Sequence, residues 1–292
     1  PISGSAVSIG KTGNITVKLP DGTDLDAKHQ VTVIVTDHKK APQQGKNVTV
    51  KGDLGQSAAG KTDKNGELTV PEVEQTERHG VYIVGYTDGT FGPSRSMTRA
   101  EAAAIFARLL AEKNGDTIST AANTKFADIP AHAWYSGYVK YLSNNGITYG
   151  KSKTIFAPND AITRAEFTTM AVRFFDVYGD GDAEIMEQFS GFNDVSSGYW
   201  AAEYIKYAAL HGWINGYGDG SFHADREINR AEVVTIVNRL LGREADEDYI
   251  ADNLRKLNTF PDVSRKHWAY YAVMEAANAH TAVLGESESW SK

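Results

Sequence analysis

No cysteine occurs among the 292 residues, methionines number only four and prolines eight, and no apolar run approaches the ~20 residues of a membrane span. The missing cysteine excludes a disulfide framework and thiol catalysis. Positive charge is also short: 30 Lys and Arg stand against 37 Asp and Glu, a net charge of -7. That balance argues against a nucleic-acid partner, because phosphate binding needs a basic face. It still permits an acidic polymer held at a few local cationic pockets. The opening "PISGSAVS" carries no charged and apolar leader, so a signal peptide is expected to have been removed or to lie outside this stretch. There is no phosphate-binding glycine loop followed by Lys-Ser or Lys-Thr, and no nucleophile motif. The histidines are scattered, with no pair at metal-ligand spacing, so neither a metal nor a cofactor is expected. What remains, 41% hydrophobic and 23% charged, is an ordinary globular composition with room for about two domains.

Two textures divide the chain. In residues 1–82, "NITVKLP", "QVTVIVTD", "KNVTVKGDL", "GELTVPEV" and "GVYIVGY" alternate apolar and polar residues and are rich in Val, Thr and Ile. Turn signals separate them: "DGTD", "KKAPQQGK" and "DKNGE". Short strands at this spacing predict a small β-sandwich.

From about residue 83 the texture is helix and loop with an internal repeat. One half is an aromatic-led helix, beginning "FADIPAHAWYSGYVKYL" at Phe126, "FNDVSSGYWAAEYIKYA" at Phe192 and "FPDVSRKHWAYYAVMEA" at Phe260. The other is a glycine loop leading into a helix: "GYTDGTFGPSRSMTRAE" from Gly85, "GKSKTIFAPNDAITRAE" from Gly150 and "GYGDGSFHADREINRAE" from Gly216. Arg99, Arg164 and Arg230 stand 65 and 66 residues apart, and Trp134, Trp200 and Trp268 stand 66 and 68 apart. The half-motifs run 83–113, 126–176 and 192–243, with a closing half at 260–285 that has the composition needed to complete the first. A closed three-fold arrangement would bury an apolar face that one repeat cannot bury alone. Ile105, Phe106, Leu109 and Leu110, with Met170, Ala171, Phe174 and Phe175 and with Ile236, Val237, Leu240 and Leu241, follow helical spacing and are the expected shared core.

Each helix start combines a good cap with a poor neighbour. Thr98, Thr163 and Asn229 are N-caps, and Glu101, Glu166 and Glu232 complete capping boxes. The arginine between them faces the positive end of the helix dipole, which disfavours it by a few tenths of a kcal/mol. Two readings follow. The guanidinium fork and free helix N–H donors build three anion sites, or each arginine pairs with a neighbouring carboxylate and fastens repeats together. The tryptophans likewise either stack on sugar faces or pack in the core; Trp213 and Trp290 have no counterparts in the other repeats and are expected in the core. A glycosidase pair of carboxylates is not indicated, since capping already explains the three glutamates. Asp88 and Asp219 belong to tight turns, with hydroxyl binding as a secondary role, and Gly89 and Gly220 supply the left-handed residue. The middle repeat reads Lys151, Ser152, Lys153, Thr154 in that place, so its groove is expected to be disabled or differently shaped, with Lys151 and Lys153 still able to attract an anion. The acid-rich "YGDGDAE" at 178–184 lacks the EF-hand pattern and reads as a solvated linker.

The F-x-D-V, the Trp helix, the Gly-Tyr-x-Asp-Gly-x-Phe loop and the Thr-Arg-Ala-Glu helix start, in that order over residues 80–285, resemble S-layer homology motifs. The strand-rich part resembles bacterial immunoglobulin-like modules. The resemblance implies an α+β multi-domain chain: an immunoglobulin-like sandwich at 1–82, then at 83–292 a mostly helical pseudo-trimer around a central helical bundle. It implies a non-enzymatic anchor outside a Gram-positive-type envelope. Its ligand would be an anionic secondary cell-wall polysaccharide, with a pyruvylated amino sugar held in grooves between repeats. It implies no cofactor, no nucleic acid and no membrane insertion, with self-association in a surface layer as a further partner mode. The ligand-binding set is Arg99, Arg164, Arg230, Trp134, Trp200, Trp268, Gly89, Gly220, Asp88, Asp219, Lys151 and Lys153. A structural or adhesive module working through self-assembly or a protein partner is the competing reading.

Overall fold

The computed structural model describes residues 6–9, 15–18, 32–37, 41–51, 57–69, 75–178, 189, 191–284 and 289–291. The "YGDGDAE" reading therefore lies outside the described residues beyond Tyr178. The fold is α+β, with short strands and seven α-helices among the described residues. It divides into two compact units, one of residues 1–77 with 281–291, the other of residues 78–280.

In the first unit β1 (Ala6–Ile9), β2 (Ile15–Lys18), β4 (Asn47–Lys51) and β5 (Ser57–Lys61) form one sheet in the order β1-β2-β4-β5, and β3 (Thr32–Ile34) pairs with β6 (Glu67–Thr69). The β2–β4 pair is parallel, with Val17 beside Val50, while β4–β5 is antiparallel. Strand β5, "SAAGK", has no branched residue and gives no strand signal, yet at Gly60 the bare backbone is what its place requires. A Cβ on Gly60 would lie 2.5 Å from Leu68 Cδ1, so Leu68 packs against bare backbone. The predicted turn at "DKNGE" forms, with Asp63 Oδ1 accepting from the amides of Asn65 and Glu67 at 2.8 and 3.0 Å. The chain leaves this unit within β7 (Gln75–His79); β8 (His280–Leu284) pairs antiparallel with β9 (Ser289–Ser291).

"GVYIVGY", expected as a strand, is an irregular connector. Val81 and Val84 are exposed, Tyr82 and Ile83 are buried, and Tyr82 serves helices rather than a sheet. Tyr82 is buried, donates its hydroxyl to Asn238 Oδ1 at 2.5 Å, and gives its amide to Ala276 O at 3.3 Å.

The second unit is built from α1 (Arg99–Asn114), α2 (Ser136–Asn144), α3 (Arg164–Tyr178), α4 (Ala202–Leu210), α5 (Arg230–Leu241), α6 (Glu247–Asn253) and α7 (Tyr270–Ala277). Helix α1 packs on α2, α3 on α4, and α5 on α7, while α3 touches both α1 and α5. All three capping boxes form. The expected core positions are buried except Phe175 and Leu241, which are half-buried. Phe106 meets Phe167 and Phe174 of α3 at ring distances of 5.3 and 4.9 Å.

Two sets of hydrogen bonds run around this unit. The backbone before each arginine helix closes a circuit: Met97 N donates to Ile228 O, Ile228 N to Ile162 O, and Ile162 N to Met97 O, at 2.9–3.0 Å. The F-x-D aspartates form the second set. Asp128 accepts from the amides of Phe156 and Ala157 at 2.9 and 2.6 Å. Asp194 accepts from Phe222 and His223, both at 2.7 Å. Asp262, near the chain end, reaches back to Phe91 and Gly92 at 2.9 and 2.7 Å. The phenylalanines pair the same way, Phe126 with Phe156, Phe192 with Phe222 and Phe260 with Phe91, at 5.2–5.5 Å. A Cβ on Gly85, Gly150 or Gly216 would meet one of those rings at 2.5 Å, which accounts for the glycine that opens each loop.

Replacing Asp262 by Ala leaves one part-buried and one exposed amide without their carboxylate, and should cost about 1–2 kcal/mol of unfolding free energy in urea. Burial pushes the Asp194 carboxyl up, but the Phe222 and His223 amides win and hold it below the ordinary carboxylate range. Its folded pKa being depressed, this stabilisation is complete above about pH 4 and is lost as the pH falls through the folded value. Asp194→Asn should flatten that part of the acid limb in a pH series of denaturation curves.

Candidate functional site

The three first-turn arginines occupy equivalent places. Each is only 4–5% exposed. Arg99 Nε donates to Phe156 O at 2.8 Å, Arg164 Nε to Phe222 O at 2.9 Å, and Arg230 Nε to Phe91 O at 2.8 Å. Each Nη1 then points at the capping glutamate of another helix: Arg99 to Glu166 at 3.2 Å, Arg164 to Glu232 at 3.3 Å, and Arg230 to Glu101 at 3.9 Å. The Phe156, Phe222 and Phe91 rings lie 4.6–5.0 Å beneath the guanidinium carbons. Burial pushes the Arg164 and Arg230 pKa values down, while Tyr217 and Glu232, and Tyr86 and Glu101, push them back up; guanidinium stays cationic throughout.

The helix starts do not offer free donors. Arg99 N and Ala100 N donate to Asp160 O and Pro158 O, Arg164 N and Ala165 N to Arg226 O and Ala224 O, and Arg230 N and Ala231 N to Arg95 O and Pro93 O, at 2.8–3.1 Å. The capping residue takes the third amide. The expectation of an anion seated on helix N–H groups is therefore corrected: neighbouring loop carbonyls already fill the first turn. The arginines do carry the carboxylate pairing that fastens one helix start to another.

They also line one wall of three open grooves. The first, about 400 Å³, is lined by Arg99, Glu166, Tyr149, Lys151, Arg173 and Trp200 among others. The second, about 180 Å³, has Arg164, Glu232, Tyr217, Arg239 and Trp268. The third, about 210 Å³, has Arg230, Glu101, Tyr86, Arg108 and Trp134. In each lining the cations outnumber the carboxylate, within a protein that is acidic overall.

Trp134, Trp200 and Trp268 are 55%, 57% and 65% exposed, each in the turn just before α2, α4 or α7. That exposure rules out core packing for them. Trp213 and Trp290 are buried, as expected. Asp88 and Asp219 form their turns, each accepting from the amide and hydroxyl two residues on, Thr90 and Ser221, and these bonds hold both carboxyls low. Gly89 and Gly220 are left-handed, with φ of 82° and 80°. In the middle loop Ser152 Oγ stands in for that aspartate, accepting from Thr154 N and Ile155 N at 3.3 and 3.1 Å. Lys151 lines the largest groove and pairs with Asp160 at 3.1 Å; Lys153 is exposed on the same loop. The groove lined by this loop is open.

Sequence reasoning missed Arg108, Arg173 and Arg239, and the tyrosines beside them. The signal was present, since each arginine stands nine residues after its helix-start partner. Arg173 is held 4.7 and 5.0 Å from the Tyr149 and Tyr204 rings, and Arg108 lies 5.1 Å from Tyr138.

The S-layer homology domain profile matches residues 69–103, 125–168 and 191–234. The chain carries an S-layer homology domain of three motifs. The closing half at 260–285 lies outside the matched segments. A cell surface glycoprotein 1 of Acetivibrio thermocellus is 34% identical over 218 residues, 72% of this chain and 9% of that protein. A cellulosome-anchoring protein of the same organism is 30% identical over 233 residues, 79% of this chain and 49% of the relative. An S-layer protein of Bacillus licheniformis is 30% identical over 155 residues, 53% of this chain and 17% of the relative. The chain thus spans about half or less of the length of these relatives. Among the described residues no helix is long and apolar enough to cross a membrane.

Breaking one buried pair leaves a charge without its partner. Arg164→Met should cost about 3–5 kcal/mol in denaturant unfolding. Trp268→Ala, at a mostly exposed side chain, should stay within about 0.5 kcal/mol of wild type.

Proposed function

We propose that this S-layer homology domain holds a bacterial surface protein to the cell wall non-covalently. It does so by binding an anionic secondary cell-wall polysaccharide in its three grooves. One observation carries the proposal: the same set recurs three times, an exposed tryptophan facing two arginines across an open groove. An exposed indole is a stacking surface for a sugar ring, and an arginine fork matches a carboxylate. A pyruvylated amino sugar presents both, a pyranose face and a ketal carboxylate, and is the ligand the family resemblance implies. The buried helix-start arginines supply the fixed positive wall; Arg108, Arg173 and Arg239 with Lys151 supply the more accessible cations, and Lys153, Gly89, Gly220, Asp88 and Asp219 belong to the loops that shape the grooves.

The circuit of backbone bonds and the closure of Asp262 onto Phe91 and Gly92 support reading residues 83–292 as a three-fold pseudo-trimer around a helical bundle. Residues 1–82 would be an immunoglobulin-like spacer. The place of action is the outside of a Gram-positive-type envelope, and the domain is a binder, not an enzyme. Some relatives are named as glycosidases, such as an exoglucanase of Acetivibrio thermocellus, and others as S-layer proteins. These names fit an anchor joined to varied partners, including partners that self-assemble in a layer.

The test is a pull-down on purified wall sacculi before and after removal of the secondary polymer. Binding should disappear with the polymer. Trp200→Ala should weaken it, and Trp134→Ala with Trp200→Ala should weaken it by more than the two single losses if grooves act by avidity. Binding retained on stripped wall, or unmoved by the tryptophan changes, contradicts the proposal and favours self-assembly or a protein partner.

A further inference from the structure

His79 meets Glu275 and His280, the latter 201 residues further along the chain, inside the helical unit. His79 ends β7, Glu275 lies on α7, and His280 begins β8. All three are buried, at 2%, 1% and 6% exposure. His79 Nδ1 lies 3.1 Å from His280 Nε2 and 3.3 Å from Glu275 Oε1, and His280 Nε2 lies 3.3 Å from Glu275 Oε2. The rings meet edge to face, with centroids 5.0 Å apart.

We propose that His79, Glu275 and His280 bind a divalent cation of the zinc class. Three points carry this. With one donor atom from each residue, the three lie within 4.8 Å of one another. The imidazole nitrogens are 3.1 Å apart and each is 3.3 Å from one of the two carboxylate oxygens, near the edge, about 3.3 Å, of a tetrahedron around an ion with ligand bonds of about 2.0 Å. Second, His280 Nδ1 lies 2.9 Å from the Asn278 carbonyl oxygen. A carbonyl only accepts, so that nitrogen carries the proton and Nε2 presents its lone pair to the cluster; this is the outer partner that orients metal-bound histidines. Third, one carboxylate with two imidazole nitrogens is a donor set suited to zinc, nickel or copper rather than calcium or magnesium.

Such an ion would join residue 79, where the chain enters the helical unit, to Glu275 and His280, where it leaves. A link spanning 201 residues removes much of the freedom of the unfolded chain. In a sequence without cysteine it does what a disulfide does elsewhere. The expectation of no metal came from local spacing, which cannot register ligands brought together only by folding.

The experiment uses the full chain, stripped with EDTA and dialysed. Cobalt and zinc are titrated separately, with calcium and magnesium as comparisons. Cobalt should bind one to one with visible d–d bands, and zinc should displace it and raise the melting temperature, while calcium and magnesium should do neither. His280→Gln and Glu275→Gln should each weaken binding by about tenfold or more. In the wild type, nitrogen NMR of the imidazoles should show zinc moving the ring signals of two histidines of the eight, which decides the matter even where a variant fails to fold. No stoichiometric binding, undiminished binding in the folded variants, or zinc moving other histidines overturns the proposal and leaves a proton in the cluster.

Discussion

The structure of the helical unit depends on a buried guanidinium that faces two ways. Taking such a charge out of water costs several kcal/mol, and that cost is repaid only with good geometry and full hydrogen bonding. Here each arginine has Nε on a phenylalanine carbonyl, Nη1 3.2–3.9 Å from the capping glutamate of another helix, and an aromatic ring beneath. The arrangement also resolves the electrostatic oddity in the sequence. A cation in the first turn opposes the dipole of its own helix, but it neutralises a glutamate that serves the dipole of the next one.

Assembly and site are consequently one device. Glutamates cap with one face and meet arginines with the other, loop carbonyls consume the first amides of each helix, and the F-x-D aspartates tie every loop to an aromatic segment. What these bonds leave over is three open grooves. Their fixed wall is the arginine latch, while their exposed wall is a tryptophan whose ring the core does not need. A change in the latch disturbs both fold and groove; a change in the tryptophan reaches the groove alone.

Much of this was legible because it is local or repeated. Capping boxes, helical spacing and the left-handed turn glycines Gly89 and Gly220 follow from short-range rules, and repetition made each visible. The partner of each arginine was not legible: Glu166, Glu232 and Glu101 are close in space to arginines about 70 to 130 residues away in sequence. Strand β5 escaped because its Gly60 answers the bulk of Leu68, not a propensity. The stretch at 80–86 misled because an apolar alternation says that side chains are buried without saying against what; Tyr82 is buried against helices. The second arginines were printed three times in register, yet their significance depended on an open groove beside them.

The central claim, that the first-turn arginines act through the glutamates of other repeats, is tested most directly by a double-mutant cycle on Arg99 and Glu166. Unfolding free energies of Arg99→Met, Glu166→Gln and the double variant give the coupling. A favourable coupling of about 2 kcal/mol is predicted, with the double variant more stable than the two single losses would add up to. A coupling under about 0.5 kcal/mol, as distant independent sites show, would contradict the account.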